Sequence, residues 1–372
     1  MKYRISDVAS INESSISKST YIGSVNYVDT SSVISGNFNG YRHYPSISEA
    51  PSRARRLVSK EDTVISTVRP NMKHVGFISS KSDCIYSTGF AVVSPKKDKI
   101  DPYYLYLFLS SNRVTEVLQS IGETSTSTYP SVKPSDIGNL VIDMPPLDEQ
   151  HLIANRIRLI DEKKNQNSQI NANLFKLAKI HFDRQLDSEN IKFSQISTIQ
   201  NGYAFKSKEY VDTNELMILR TKNINDNHLF SKNDVVYISK ELFDEYKKFS
   251  FSAFDTVLVM VGASIGKTGF VTSNMTPSLQ NQNMWRFRPK MSNIPGLLIF
   301  QYVNYINKHV IGSATGSARS FYRKKLFSEF EVPRINSTNY IYFDTLQREI
   351  DHLNTENEIL YRIKHSLLNH YF

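Results

Sequence analysis

Cysteine is almost absent from the chain: Cys84 stands alone in 372 residues. A single thiol forms no internal disulfide, so the fold must be held by packing, and a reducing, cytosolic setting is expected. The same scarcity excludes a zinc centre built from several cysteines. The nine histidines place no close-spaced pair on one expected helix face. Long apolar runs are missing too. The most apolar stretches, 105–109 and 297–300, are far too short to span a bilayer, and the opening residues MKYRISDVAS have no apolar signal core. No glycine-rich loop suits S-adenosylmethionine.

What is present is a folded, aromatic-rich chain with a positive excess. It has 40% hydrophobic residues, 21 Tyr and 21 Phe, and a net charge of +9. The charge is unevenly placed. Residues 1–145 hold 16 Lys+Arg against 13 Asp+Glu, and 191–333 hold 18 against 11, whereas 146–190 balance at 7 against 7 and 334–372 hold 4 against 5. Two basic regions separated by neutral segments point to a polyanion, most often nucleic acid.

The first half of the chain returns in the second. Residues 62–78, DTVISTVRPNMKHVGFI, align without a gap on 255–271, DTVLVMVGASIGKTGFV. Ile121-Gly122 then matches Ile311-Gly312, Met144-Pro145 matches Val332-Pro333, and Ile160-Asp161 matches Ile350-Asp351. A repeat this long implies one fold used twice. In each copy short β-branched runs lie between turn signals. Strands are expected at 63–68, 90–93 and 139–142, and again at 217–219, 235–238, 256–261 and 285–287. A helix is expected over 103–119, entered through the cap and N1 proline Asp101-Pro102, with its counterpart over 295–309.

Pro145-Pro146 ends the first mixed region, and Asp148 and Glu149 then favour a helix start. Ile153, Ile157, Ile160, Ile170, Leu174 and Leu177 form one narrow apolar stripe. Leu346, Ile350, Leu353, Leu360 and Leu367 form a second, at close to coiled-coil spacing. Such helices need partners, and each supplies one for the other, antiparallel if a twofold axis relates the halves. The expected division is therefore 1–145 and 189–335 as two similar domains, with 146–188 and 336–372 as two long helices, in an α+β fold of pseudo-twofold symmetry.

Several motifs fall short of an active site. In VGASIGKT, residues 261–268, only three residues separate Gly262 from Gly266, where a phosphate-binding loop needs four. The segment reads instead as strand–turn–strand. Glu162-Lys163-Lys164 and Glu245-Tyr246-Lys247 match a nuclease Glu-x-Lys fragment only as chance would allow, and Asp143-Met144-Pro145-Pro146-Leu147 lacks the aromatic of an amino-methyltransferase motif. The better candidates are polar and basic loop clusters. They comprise Arg53, Arg55 and Arg56; Arg69 and Lys73; Gln280, Asn281, Gln282 and Asn283; and Ser317, Arg319, Tyr322, Arg323 and Lys324, with Lys206, Lys222 and Lys267 beside them. Arg and Lys bind phosphates and guanine edges, while Asn and Gln read adenine.

Three stretches carry a family resemblance. PSRARRLVSKEDTVISTVRPNMKHVGFIS (51–79), YLYLFLSS…YPSVKPSDIGNLVIDMPPLDEQHLIANRI (104–157) and NGYAFKSKEY…FDTVLVMVGASIGKTGFV (201–271) resemble the specificity subunit of type I restriction–modification systems. The run Pro145-Pro146-Leu147-Asp148-Glu149-Gln150, opening a long helix, is its strongest mark. The resemblance implies two target-recognition domains reading a split duplex DNA site, held apart by an antiparallel coiled coil. It implies two methylation subunits that bring S-adenosylmethionine and modify adenine N6, and restriction subunits that use ATP and Mg. This chain itself would hold no cofactor or metal and perform no catalysis, in the cytoplasm of a prokaryote. A helix of about 35 residues is about 50 Å long, or about 15 base pairs of B-DNA, so helix length would act as a ruler between half-sites. The second helix departs from the pattern, being introduced by Val332-Pro333-Arg334-Ile335-Asn336-Ser337-Thr338-Asn339, with Asn336 or Ser337 as its cap. The alternatives are the recognition subunit of a system that cleaves on both sides of its site, a self-sufficient methyltransferase or nuclease, and a protein scaffold built on the helices.

Overall fold

The computed structural model describes every residue except 18, 20, 125–128, 187–188, 213–214 and 314–321, and omits the side chains of 311–313. The chain divides into two compact units, Met1–Glu162 with Ile363–Phe372, and Lys163–Arg362. Five helices recur below: α1 (Pro102–Leu109), α2 (Asn112–Glu123), α3 (Leu147–Asp183), α4 (Gly296–Ser313) and α5 (Tyr340–Tyr371).

Both units are mixed helix and sheet, and one four-stranded sheet has the same strand order in each. In the first, an antiparallel sheet runs Ala9–Ile11, Phe90–Pro95, Thr63–Ser66, Val75–Phe77. In the second, Ser197–Asn201, Met284–Pro289, Thr256–Val259 and Thr268–Phe270 take the same order. Each unit adds a second sheet with one parallel pair, Val25–Val28 on Ile85–Ser87 and Leu216–Leu219 on Ser278–Gln280. Each also has a two-stranded ribbon, Lys2–Arg4 with Val141–Asp143 and Asn190–Lys192 with Glu331–Pro333. The central strands Thr63–Ser66 and Thr256–Val259 are buried along their whole length, which β-branched residues tolerate best.

The repeat extends to single hydrogen bonds. Glu61 and Phe254 both sit at left-handed φ, +76° and +71°. Their amides donate to Ile78 and Val271 at 2.7 Å, and those residues donate back to the Asp62 and Asp255 carbonyls at 2.9 Å. The Asp62 and Asp255 carboxylates in turn accept from the amides of Ser59 and Ser252, at 2.6 and 2.7 Å.

Beyond those amides the two aspartates differ. Asp255 faces Arg288, whereas the position corresponding to Arg288 in the first unit is Ser94, and burial pushes the Asp62 carboxyl up from its ordinary value. A carboxyl raised by folding stabilises below its unfolded pKa and loses that contribution as pH rises through the folded value. Asp62→Asn keeps an acceptor for Ser59 without the charge. It should therefore raise the melting temperature at neutral pH, with the gain gone at about pH 3. A variant that melts lower than wild type at pH 7 would contradict this.

The expected single helix over 103–119 is two helices. Ser111 breaks it by accepting the Val114 amide at 3.3 Å and starting α2 as its N-cap. α1 is buried all round, whereas α2 buries only Val114, Leu118 and Gly122. The expected strand over 139–142 is Val141–Asp143, with Asn139 closing a short helix instead. Asn336, not Ser337, makes the cap before α5, accepting the Thr338 amide at 3.0 Å.

One pairing of the repeat is also corrected. Asp101 N–H donates to Gln150 Oε1 at 3.0 Å, and Leu297 N–H donates to Gln347 Oε1 at 3.1 Å. Both glutamines are buried. Gln150 and Ile153 thus correspond to Gln347 and Ile350, so Ile350 is the counterpart of Ile153 and not of Ile160. Gln347 supplies the amide-holding side chain that the missing Glu-Gln run hides from sequence comparison.

The helix stripe is shifted as well. Ile153 and Ile157 are buried in the first unit's core, against which Leu367 packs, and Ile160 is half-buried. Leu346, Ile350 and Leu353 are buried and Leu360 is half-buried. On α3 beyond residue 162, however, Ile170 and Leu177 are exposed, and Leu174 is only half-buried. The buried line runs Asn167, Asn171, Phe175, Ala178, Phe182. Two asparagines occupy its first turns, so a stripe traced through aliphatic residues alone slides to a neighbouring face. Asn167 Nδ2 donates to Glu356 Oε2 and Asn357 Oδ1, at 2.7 and 3.0 Å. His181 stacks on Tyr342 at 3.9 Å between ring centroids. In the first unit Lys364 Nζ bonds both Asp161 oxygens, at 2.7 and 2.6 Å.

Candidate nucleic-acid interface

The hairpin joining the two strands of the 62–78 repeat is the same turn in both units. In the first, Arg69 and Lys73 lie at φ +51°, and in the second Gly262 and Gly266 lie at φ +93° and +84°. These are corresponding positions. The Met72 amide donates to Arg69 O at 2.9 Å, and the Ile265 amide donates to Gly262 O at 3.1 Å. Glycine adopts this backbone freely, whereas Arg or Lys there costs about 1–3 kcal/mol each. The VGASIGKT segment is thus the expected strand–turn–strand, with glycine where the turn is left-handed.

Around each hairpin the fold gathers segments remote in sequence. In the first unit, Arg69 N–H donates to Pro130 O at 2.8 Å, and the Arg69 guanidinium lies 3.9 Å over the Tyr129 ring. The Asn71 amide donates to Gln119 Oε1 at 3.1 Å, and Lys73 Nζ to Asn112 Oδ1, which ties the turn to α2. Thr67 donates its N–H to Gly89 O, and the neighbouring Thr88 donates to Arg53 O. Arg53 and Arg69, sixteen positions apart, thereby reach one loop end. In the second unit Met260 N–H donates to Asn283 O at 3.1 Å, Asn307 Nδ2 donates to Gly266 O at 3.0 Å, and Tyr322 OH donates to Asn307 Oδ1 at 2.6 Å. The 280–283 cluster, the hairpin and the start of the 322–324 cluster therefore meet there.

The individual candidates divide by exposure. Arg53, Arg55, Arg69, Lys206, Gln282, Asn283, Arg323 and Lys324 are exposed. Lys222 is exposed but pairs with Asp234 at 3.3 Å, and Lys267 pairs with Asp226 at 3.1 Å. Asn281 is half-buried, its backbone bridged to Tyr203. Ser317 and Arg319 lie outside the described residues.

Three candidates are more enclosed. Gln280 ends an inward-facing strand, is fully buried, and donates to Met284 O and Gln200 O at 2.7 and 3.2 Å. Tyr322 packs its ring on Trp285 and Phe327. Arg56 is half-buried, its Nε enclosed with no hydrogen-bond partner among the described residues, and burial lowers its guanidinium pKa. A polar residue next to a basic run reads as surface in a sequence, and only the strand's direction shows that it points inward. Sequence reasoning missed Tyr129, whose ring supports Arg69, and the two exposed hairpin aliphatics, Met72 and Ile265. The gap-free alignment that places Met72 on Ile265 was the available signal.

Among the described residues no group of three or more His, Cys, Asp or Glu is placed to hold a metal, and no helix is long and apolar enough to cross a membrane. The class that emerges is a tandem-repeat protein, one α+β fold used twice. The chain belongs to the type I restriction modification DNA specificity domain family, which matches residues 1–174 and 185–362. It is 27% identical over 157 residues to the type I restriction enzyme HindI specificity subunit of Haemophilus influenzae, a match covering 42% of this chain and 34% of that relative. It is 23% identical over 257 residues to the type I restriction enzyme MjaVIII specificity subunit of Methanocaldococcus jannaschii, covering 62% of this chain and 59% of the relative. The chain thus spans less than two thirds of the length of these curated relatives. Its fold is similar to that of a type I restriction–modification S subunit from M. genitalium, with a TM-score of 0.56 at 15% identity, covering 100% of this chain and 96% of the other.

Proposed function

We propose that this chain is the non-catalytic specificity subunit of a type I restriction–modification complex, reading a bipartite duplex site. The observation that carries the proposal is the family match to both halves, each of which builds the same hairpin with basic and amide side chains collected around it. Residues 1–145 and 189–335 would be the two target-recognition domains. Residues 146–188 and 336–372 would be the spacer helices, paired as an antiparallel coiled coil in a pseudo-twofold arrangement. Support for the pairing comes from side-chain contacts in which residue 181 meets 342 and 343, 167 meets 356 and 357, and 161 meets 364.

The partners in this reading are two methylation subunits, supplying S-adenosylmethionine chemistry at adenine N6, and restriction subunits using ATP and Mg, all in a prokaryotic cytoplasm. The cations dock the duplex and the amides and guanidiniums read base edges. The target adenine is turned out of the stack for the methylation subunit to reach it.

Methylome sequencing of the host with and without the gene tests this directly. The expected result is a split adenine-methylated motif that disappears with the gene. An unchanged methylome in a host that keeps its methylation subunit, or methyl transfer to DNA by this chain alone, would defeat the proposal.

A further inference from the structure

Isolated surface aliphatics carry no message. Met72 and Ile265 are different because they occupy the same position of the same turn in two units of divergent sequence. Met72 is 51% exposed and Ile265 38%, and Val261 beside the second turn is 42% exposed. Neither tip residue belongs to a hydrophobic core cluster of its unit. The turn that presents them is left-handed at corresponding positions, and in the first unit it keeps that shape although Arg69 and Lys73, not glycine, must adopt it. Backbone strain held against residue preference marks positions retained for a task rather than for stability. The surroundings set the kind of task. Arg69 is exposed beside Met72, and Asn283 is exposed beside the strand that leads into the second turn.

We propose that Met72 and Ile265 are specificity-determining residues that make apolar contact with base edges, one in each half-site. In the major groove of a duplex the apolar group on offer is the C5 methyl of thymine. The two hairpins would thus be matching probes, each placing one aliphatic side chain on a thymine methyl. The inference rests on the reading of the chain as a duplex-DNA specificity subunit, and it adds the contact by which each unit recognises one kind of base.

The test uses the full chain and a pool of random-sequence duplexes. Wild-type protein is first used to select a bipartite consensus. Its affinity is then measured for that duplex and for versions with uracil replacing thymine in one half-site at a time. Uracil differs only by the methyl, so each contacted thymine should contribute about fourfold to affinity. Met72→Gln should abolish the thymine–uracil difference in one half-site and Ile265→Gln in the other, with melting temperatures unchanged because both side chains are exposed. Arg69→Gly relieves the left-handed strain, so it should melt no lower than wild type while binding about tenfold more weakly. If a consensus emerges but both glutamine variants keep the wild-type thymine preference, the inference fails alone. If wild-type protein selects no consensus and does not retain duplex DNA, the specificity-subunit reading fails with it.

Discussion

Arg288→Met should destabilise the second unit by about 3 kcal/mol, the scale for stranding a buried charge. Asp255 is 1% exposed, and Arg288 grips it with two charge-assisted bonds, Nε to Oδ1 at 2.7 Å and a terminal nitrogen to Oδ2 at 2.6 Å. The partnership raises the Arg288 pKa, whereas burial lowers that of Arg286, whose Nε lies 4.0 Å from the same carboxylate and has no hydrogen-bond partner among the described residues. Arg286 is aimed elsewhere, its guanidinium donating to Ser250 O, so it is a poor substitute for the lost partner. For a unit of this size the loss corresponds to a drop in melting temperature of roughly 6–12 °C. Asp255→Asn in the Arg288→Met background should recover much of it, since the carboxylate is then no longer left bare. Denaturant melts of the four proteins of this cycle measure the coupling, and an Arg288→Met protein as stable as wild type would show that the pair is not holding the unit together.

Raising salt from about 50 to about 200 mM should weaken duplex binding by the full chain about a thousandfold. Six of the candidate cations are exposed and carry no ion pair among the described residues: Arg53, Arg55, Arg69, Lys206, Arg323 and Lys324. If each neutralises one phosphate, log affinity falls against log salt with a slope near −5, and each Arg or Lys replaced by a neutral residue makes the slope shallower by about one. Replacing Lys222, already paired with Asp234, should change the slope less. Fluorescence anisotropy at four or five salt concentrations reads the slope, and a flat line would make the basic excess a matter of solubility rather than of DNA.

Residue order showed the duplication clearly because the 62–78 and 255–271 segments carry both a strand pattern and a turn, and both must fit one backbone. It misplaced features that depend on what lies across a gap. Ser111 is an ordinary serine until its hydroxyl caps α2. Gln280 stands close to the exposed Gln282 and Asn283 and looks like them, but lies at the end of a strand turned inward. Asn167 and Asn171 break the aliphatic rhythm that marks a buried face, yet both are buried, and neither Asn171 side-chain polar atom has a hydrogen-bond partner among the described residues. A search for apolar periodicity passes over such positions by construction. The hairpin aliphatics failed from the other side: Met72 and Ile265 look like core residues, and only their exposure shows otherwise.

The end of α5 sets a timetable for synthesis. Leu367, Leu368, Tyr371 and Phe372 pack on the first unit's core, with the Phe372 ring 4.9 Å from that of Tyr104 and 6.1 Å from that of Phe108. The ribosome must make all of 163–362 between the bulk of that core and its closing side chains. At about 5–20 residues per second, this leaves the nascent first unit without its last layer for roughly 10–40 s. Of the two units, the one whose translation starts first thus waits for the other to be made before it is sealed, and a chaperone has that interval in which to find its open apolar surface.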